Sequence, residues 1–193
     1  KWNKMRFILV IISLLCINEV FTQNELKYYK LDELQNASVD SVFAIDLKKS
    51  NLTEIPEIIF KFTNLQYLDL SKNKLPKANG LEVFKQLKKL DLDKNKLTYF
   101  PIGICQLLEL EVLKISRNDI EVIPICIEFC QKLRVVELWS TMITGVPREM
   151  TNISTIESID FTGIQINVRQ QEQLRNMFPN AKLILDPPCN CTH

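Results

Sequence analysis

The chain has 193 residues, with 24 Lys and Arg against 23 Asp and Glu for a formal charge of +1. That length accommodates one domain with a sizeable core, and the near-neutral balance gives no electrostatic footprint for nucleic acid. One His, at the last position, and four Gly leave neither a Ser-His-Asp set nor a glycine-rich phosphate loop.

At the N-terminus, Lys1, Lys4 and Arg6 precede the apolar run Phe7 to Cys16. The run is too short to span a bilayer comfortably and reads as a secretory signal peptide over residues 1–22. Val20 and Thr22 would hold the −3 and −1 positions of the cleavage site, with Gln23 as the new start. Cys16 offers a lipoprotein alternative, although Leu15 is bulky where a lipobox wants a small residue. An uncleaved signal anchor is a further alternative. Loss of Lys1, Lys4, Arg6 and Glu19 would shift the net charge from +1 to −1, which argues against a membrane-surface or heparin-type partner. Residues 23–41 are expected to form an N-terminal cap. Within them, Tyr28, Leu31 and Leu34 recur every third residue and predict a short helix over residues 27–36.

From residue 42 onward one pattern recurs. Leu65, Leu68, Leu70, Asn73 and Leu75 spell L-x-x-L-x-L-x-x-N-x-L. Leu87, Leu90, Leu92, Asn95 and Leu97 repeat it, as do Leu110, Leu113, Ile115, Asn118 and Ile120. Looser copies open at Val42, Leu133 and Ile156, so six copies start at 42, 65, 87, 110, 133 and 156. Four share an apolar-Pro pair: Ile55-Pro56, Phe100-Pro101, Ile123-Pro124 and Val146-Pro147. The second copy departs from this with Lys77-Ala78 and a turn-like Asn79-Gly80.

The apolar residues at positions 4 and 6 of each copy flank a polar one, which puts both on one face of a strand. Positions 1 and 11, with residues such as Ile59 and Phe62, complete an inward ring. One coil cannot bury that ring, so neighbouring coils must stack. Proline, lacking an N–H donor, belongs in the return segment. Position 9 holds Ser50, Asn73, Asn95, Asn118, Thr141 and Ile164. An Asn amide there can satisfy backbone groups in the turn and build a ladder from coil to coil, which should end at Ile164.

This pattern resembles the leucine-rich repeat family over about residues 42 to 185. The resemblance implies an α/β solenoid, with a curved parallel sheet on its concave face, short helical or irregular return segments and helical caps. The repeats would occupy 42–179, the last copy merging into a cap helix over Arg169 to Phe178 that Pro179 stops. Residues 180–193 would supply a last strand at Ala181 to Leu185 and a Cys-containing tail.

Five cysteines lie beyond the signal segment. Cys130 falls where other copies have Phe62, Leu107 and Ile153 and reads as core. Cys105 and Cys126 lie on neighbouring return segments and could approach each other. An odd count leaves at least one thiol over, and the pairing of Cys105, Cys126, Cys130, Cys189 and Cys191 is open. Cys189, Cys191 and His193 offer three metal ligands at unusual spacing, fewer than a structural zinc site takes, so no metal and no cofactor is expected. Asn36, Asn51, Asn152 and Asn190 open N-x-S/T sequons, which matter only in an organism that glycosylates them.

Outward strand positions 3, 5 and 7 form columns across the sheet, with position 8 at the rim. Column five is Asp46, Asp69, Asp91, Lys114, Glu137 and Asp160, and column eight is Lys49, Lys72, Lys94, Arg117, Ser140 and Gly163. An acidic stripe thus runs beside a basic one, either as a self-compensating solvated surface or as one that steers a polar partner. Val112 and Val135 at position 3, with Trp139 at position 7 and Tyr67 further along, suggest anchors of the kind that carry interface energy. Alternatively, Trp139 packs on a bent C-terminal segment. The candidate partner-binding residues are Tyr67, Asp69, Lys89, Asp91, Val112, Lys114, Val135, Glu137 and Trp139. Neighbouring Asp69 and Asp91 could sit at a glycosidase-like carboxylate separation, but a regular solvent-facing column implies no cleft. The expectation is therefore an exported, non-catalytic module, secreted or held in the cell envelope or periplasm, that recognises a protein. The alternatives are a glycan ligand and a structural or adhesive surface role. Membrane contact would come only through an uncleaved or lipidated N-terminus.

Overall fold

The computed structural model describes residues 26–189. The expected signal peptide, its cleavage site, Cys16, Asn190, Cys191 and His193 lie outside the described residues. Eight strands form one sheet: Tyr28–Tyr29 (β1), Ala44–Asp46 (β2), Tyr67–Asp69 (β3), Lys89–Asp91 (β4), Val112–Lys114 (β5), Val135–Glu137 (β6), Ser158–Asp160 (β7) and Lys182–Ile184 (β8). Spatial order follows chain order from β1 to β8. Every neighbouring pair is parallel, as side-by-side stacking of the coils requires. The register is uniform: Leu68 pairs Leu90, Leu90 pairs Leu113, and Leu113 pairs Val136.

Parallel strands need a crossover connection. With 22 or 23 residues per coil, little remains for an α-helix, and the returns are extended chain around single 3-10 turns, such as Glu57–Lys61, Ile102–Gln106, Ile125–Phe129 and Arg148–Asn152. Each of these four begins at the proline of the apolar-Pro pair. The proline carbonyl accepts the first turn bond, from the N–H of Ile59, Ile104, Ile127 or Met150 at 3.0–3.2 Å. Its fixed φ, here −61° to −72°, presets the turn. The short second coil uses Gly80 instead, at φ +82°. A Cβ there would lie 2.8 Å from the Phe60 ring, so glycine serves both the backbone and the packing.

Positions 1, 4, 6 and 11 of the clean copies are all buried, and Ile59, Phe62, Leu107 and Cys130 close the ring behind them. The result is one continuous core along the whole stack. The asparagine ladder is present. Asn95 accepts from the Leu75 N–H at 3.1 Å and donates to the carbonyls of Leu70 and Leu92, both at 3.0 Å. Asn73 and Asn118 repeat that bonding one coil to either side. The ladder ends earlier than predicted. Thr141 donates only within its own coil, to Leu138 at 2.7 Å, because one hydroxyl cannot both donate to two coils and accept from a third group as an amide can.

The turn after each strand passes through left-handed backbone at position 8. Lys49, Lys72, Lys94, Arg117 and Ser140 have φ between +51° and +58°, and Gly163 has +75°. The cost for a non-glycine residue is about 1 kcal/mol. The turn is held against that cost by bonds to the next coil, into which the position-8 N–H donates; the Lys72 N–H, for example, reaches the Asp93 carbonyl at 2.7 Å.

The N-terminal segment departs from the predicted helix over 27–36. Tyr28 and Tyr29 pair with Ala44 and Ile45 as a strand, and only Leu34–Asn36 makes a 3-10 turn. The open edge of β2 offers unpaired backbone groups that a helix would leave uncovered, so strand pairing outweighs the local periodicity. At the other end, the α-helix Val168–Met177 (α1) starts from a reciprocal capping box between Asn167 and Gln170. It buries Leu174, and Phe178 follows it into the core.

Candidate functional site

On the outward face of the sheet, two rows of side chains run across the strands. The first row is Tyr28, Ala44, Tyr67, Lys89, Val112, Val135, Ser158 and Lys182. The second is Asp46, Asp69, Asp91, Lys114, Glu137, Asp160 and Ile184. Eight of the nine candidate residues therefore stand in these rows, in the order expected, and all eight are partly buried. Neighbouring strands are roughly 4.8 Å apart, so facing side chains shield one another without a covering element.

The acidic row has a local structural cause. Asp46, Asp69, Asp91 and Asp160 each accept, through Oδ1, the N–H two residues later at 2.8–3.0 Å. That Asx bond steadies the chain just before its left-handed residue. Burial raises the Asp91 carboxyl above its usual range, and the neighbouring Asp69 charge adds to this. Burial would raise Asp46 too, but the hydrogen bonds from Lys30 and the Lys48 N–H together bring it below normal. Lys114 pairs with Glu137 in the adjacent coil. The expected compensation between stripes is not what neutralises the row: among the described residues, Lys49, Lys72 and Lys94 make no ion pair with it. Their left-handed backbone sets them apart from the pleat that carries the row.

Trp139 is half-buried rather than fully exposed. The Arg117 guanidinium lies 4.3 Å from its ring centroid and bonds to Asp93, with Nε donating to Oδ1 at 2.8 Å. Asp93, Ser116 and Trp139 occupy position 7 of successive coils, so Arg117 bridges from the third coil to the fifth across Ser116, which is 0 % exposed. Trp139 thus packs against a side chain of the preceding coil. Only the alternation of residue types at positions 7 and 8 could have signalled this clamp.

A further feature escaped sequence reasoning. β1 brings Tyr28 into the first row, where it meets Tyr67 across the small Ala44 at 6.4 Å between ring centroids. Around this pair, Asp46, Asp69 and Lys89 help line a shallow cavity of about 160 Å³. Burial, then Tyr67 and the two carboxylates, raises the Tyr28 hydroxyl above its normal range.

The cysteines divide by depth. Cys105 and Cys126 form a disulfide between the returns of the third and fourth coils, Cα to Cα 5.5 Å. Cys130 is a free thiol in the core, its pKa pushed up to about 12 by burial, which leaves it unreactive near neutrality.

Residues 41–97 match the family model described as leucine rich repeat. The chain is 37% identical over 93 residues to the volume-regulated anion channel subunit LRRC8A of Homo sapiens, covering 47% of this chain and 12% of that protein. It is 34% identical over 125 residues to the subunit LRRC8E of Xenopus tropicalis, covering 62% of this chain and 16% of that one. The chain therefore spans well under a fifth of the length of these relatives. A crystal structure of an internalin from Listeria monocytogenes superposes with a TM-score of 0.64 at 18% identity, covering 76% of this chain and 44% of that one. At that identity the likeness concerns the fold.

Proposed function

The chain belongs to the leucine-rich repeat family, and from that premise we propose that it is a non-catalytic module that recognises a protein partner through the outward face of its sheet. One observation carries this. Inward positions repeat almost unchanged from coil to coil, as Leu68, Leu90 and Leu113, whereas the outward neighbours vary as Tyr67, Lys89, Val112 and Val135, or Asp69, Asp91, Lys114 and Glu137. Stacking fixes the first set; in the second, Asp69 and Asp91 also serve as acceptors for their own turns, while the choice of Tyr67, Lys89, Val112 and Val135 is left open by the packing. Such variation over a rigid scaffold gives a surface with its own pattern of charge and shape. The Asp69 and Asp91 carboxylates are engaged as backbone acceptors, which favours binding over catalysis. Export is supported by the basic-then-apolar N-terminus and by the Cys105–Cys126 disulfide, since such bonds persist in oxidising compartments.

The test is capture of a partner from the native extracellular or envelope fraction, followed by substitution. Tyr67→Ala, Val135→Asp and Trp139→Ala should each weaken capture while the chain stays folded. Trp139→Ala should lower stability by only about 1 kcal/mol through loss of the Arg117 stack. Capture that survives all three changes would refute the assignment to this face, and a large stability loss in Trp139→Ala would show that the ring is core.

A further inference from the structure

A different surface lies along the edge where each strand's turn runs into the return segment. Three grooves open there between successive coils, of about 480, 500 and 330 Å³. Their apolar content is unusually open to solvent. Tyr99 is 81 % exposed and forms the ridge between the second and third grooves, while Val122 is 68 % exposed and Met142 60 %. Ile102, at 60 %, extends the same surface. Contiguous exposed apolar area of this kind marks an interaction site.

The charge at this edge is one-sided. The grooves are lined by Glu54 and Glu57, then Glu82, then Asp119 and Glu121, against a single ammonium, Lys77. Among the described residues none of these five carboxylates is in an ion pair. The chain as a whole is balanced, at 24 basic and 23 acidic residues, so the imbalance is local. The return segments behind this edge are also cross-linked. The Cys105–Cys126 disulfide ties together the returns that follow Tyr99 and Val122, which limits the ordering cost of binding.

We propose that this edge is a second docking surface, which takes an extended polypeptide segment alternating Lys or Arg with apolar side chains. The geometry fits such a segment. Coils stack at roughly 4.8 Å, so the first and third grooves lie about 10 Å apart. An extended chain advancing about 3.3 Å per residue crosses that distance in roughly three residues. In an extended segment alternate side chains point to opposite sides, so one set can enter the grooves over Tyr99 and Val122. The other set reaches the carboxylates at the rim.

The probe is a fluorescein-labelled synthetic octapeptide alternating Lys with Leu and Phe, titrated with the full chain by fluorescence anisotropy. A counterpart with Glu for Lys is the control. The lysine peptide should bind, the glutamate peptide should not, and binding should weaken as salt is raised. Asp119→Asn combined with Glu121→Gln should weaken binding about fivefold, and Tyr99→Ser about tenfold. All three positions are exposed, so an unchanged melting temperature certifies the fold. Tyr67→Ala, on the sheet face, should leave peptide binding unchanged, which separates this surface from the one proposed above. The inference is overturned by equal binding of both peptides, by edge variants that bind normally, or by a Tyr67→Ala loss as large as that of Tyr99→Ser. It is also overturned if sedimentation shows self-association that Tyr99→Ser abolishes, because the occupant would then be a second copy.

Discussion

Asn118 gives the sharpest test of how this stack is held together. It is 3 % exposed, accepts from the Leu97 N–H at 3.1 Å, and donates to the carbonyls of Leu92 at 3.0 Å and Ile115 at 2.9 Å. In Asn118→Ala the Leu92 carbonyl keeps a second donor, Asn95. The Leu97 N–H and the Ile115 carbonyl are left without partners in the core. Each stranded buried group costs roughly 1–3 kcal/mol, so the variant, with two of them, should lose about 2–6 kcal/mol. That is a large share of the 5–15 kcal/mol typical of a folded domain. Thr141→Ala removes one bond within one coil, and its loss should be about 1 kcal/mol. Urea denaturation followed by circular dichroism measures both, with the change read from the midpoint at constant slope. Equal losses in the two variants, or less than about 1 kcal/mol for Asn118→Ala, would show that the ladder is not what couples the coils.

Two further outcomes follow from the cysteines and the acidic row. Replacing Cys105 and Cys126 together by Ala opens a cross-link with a sequence separation of 21. Stability should fall by about 3 kcal/mol, and dithiothreitol should lower the melting temperature of the native chain by more than that of the variant. Asp91→Asn keeps the acceptor for the Asp93 N–H and removes a buried charge beside Asp69. Because burial raises the Asp91 carboxyl in the folded state, its contribution to stability is complete below the unfolded pKa and is lost as pH rises through the folded value. The Asn variant should therefore be more stable than the parent at neutral pH, by a few tenths to about 1 kcal/mol. That advantage should vanish in acid below the carboxylate range. A variant that is less stable at neutral pH would show that the Lys114 attraction outweighs burial.

The clean copies make the spine legible in the sequence. The spacing of Leu65, Leu68 and Leu70 assigns the strand, its inward face and its neighbours. The positions of Asn73, Asn95 and Asn118 assign the ladder, because every feature involved lies within one repeat or repeats at one interval. Cys130 was placed in the core by the same alignment of copies. The candidate rows were legible in membership and order, since the register of a stack follows from the period alone. Reasoning from local pattern failed where the partner comes from another coil. Tyr28 and Leu31 have helical spacing, yet the unpaired edge of β2 draws Tyr28 and Tyr29 into a strand. Trp139 has an open surface pattern, yet Arg117 reaches it from the preceding coil while holding Asp93 in the one before that.

What the sequence alone determined is the periodic part: a stack of coils, an apolar interior and the residues that point out of it. A repeated local pattern admits one way of burying its apolar side chains. Only the tertiary structure decided which charges are neutralised, where the ladder stops and which exposed apolar residues meet at the edge. These depend on contacts between coils, across some 20 to 26 residues of chain, and no residue's own neighbourhood in the sequence specifies them.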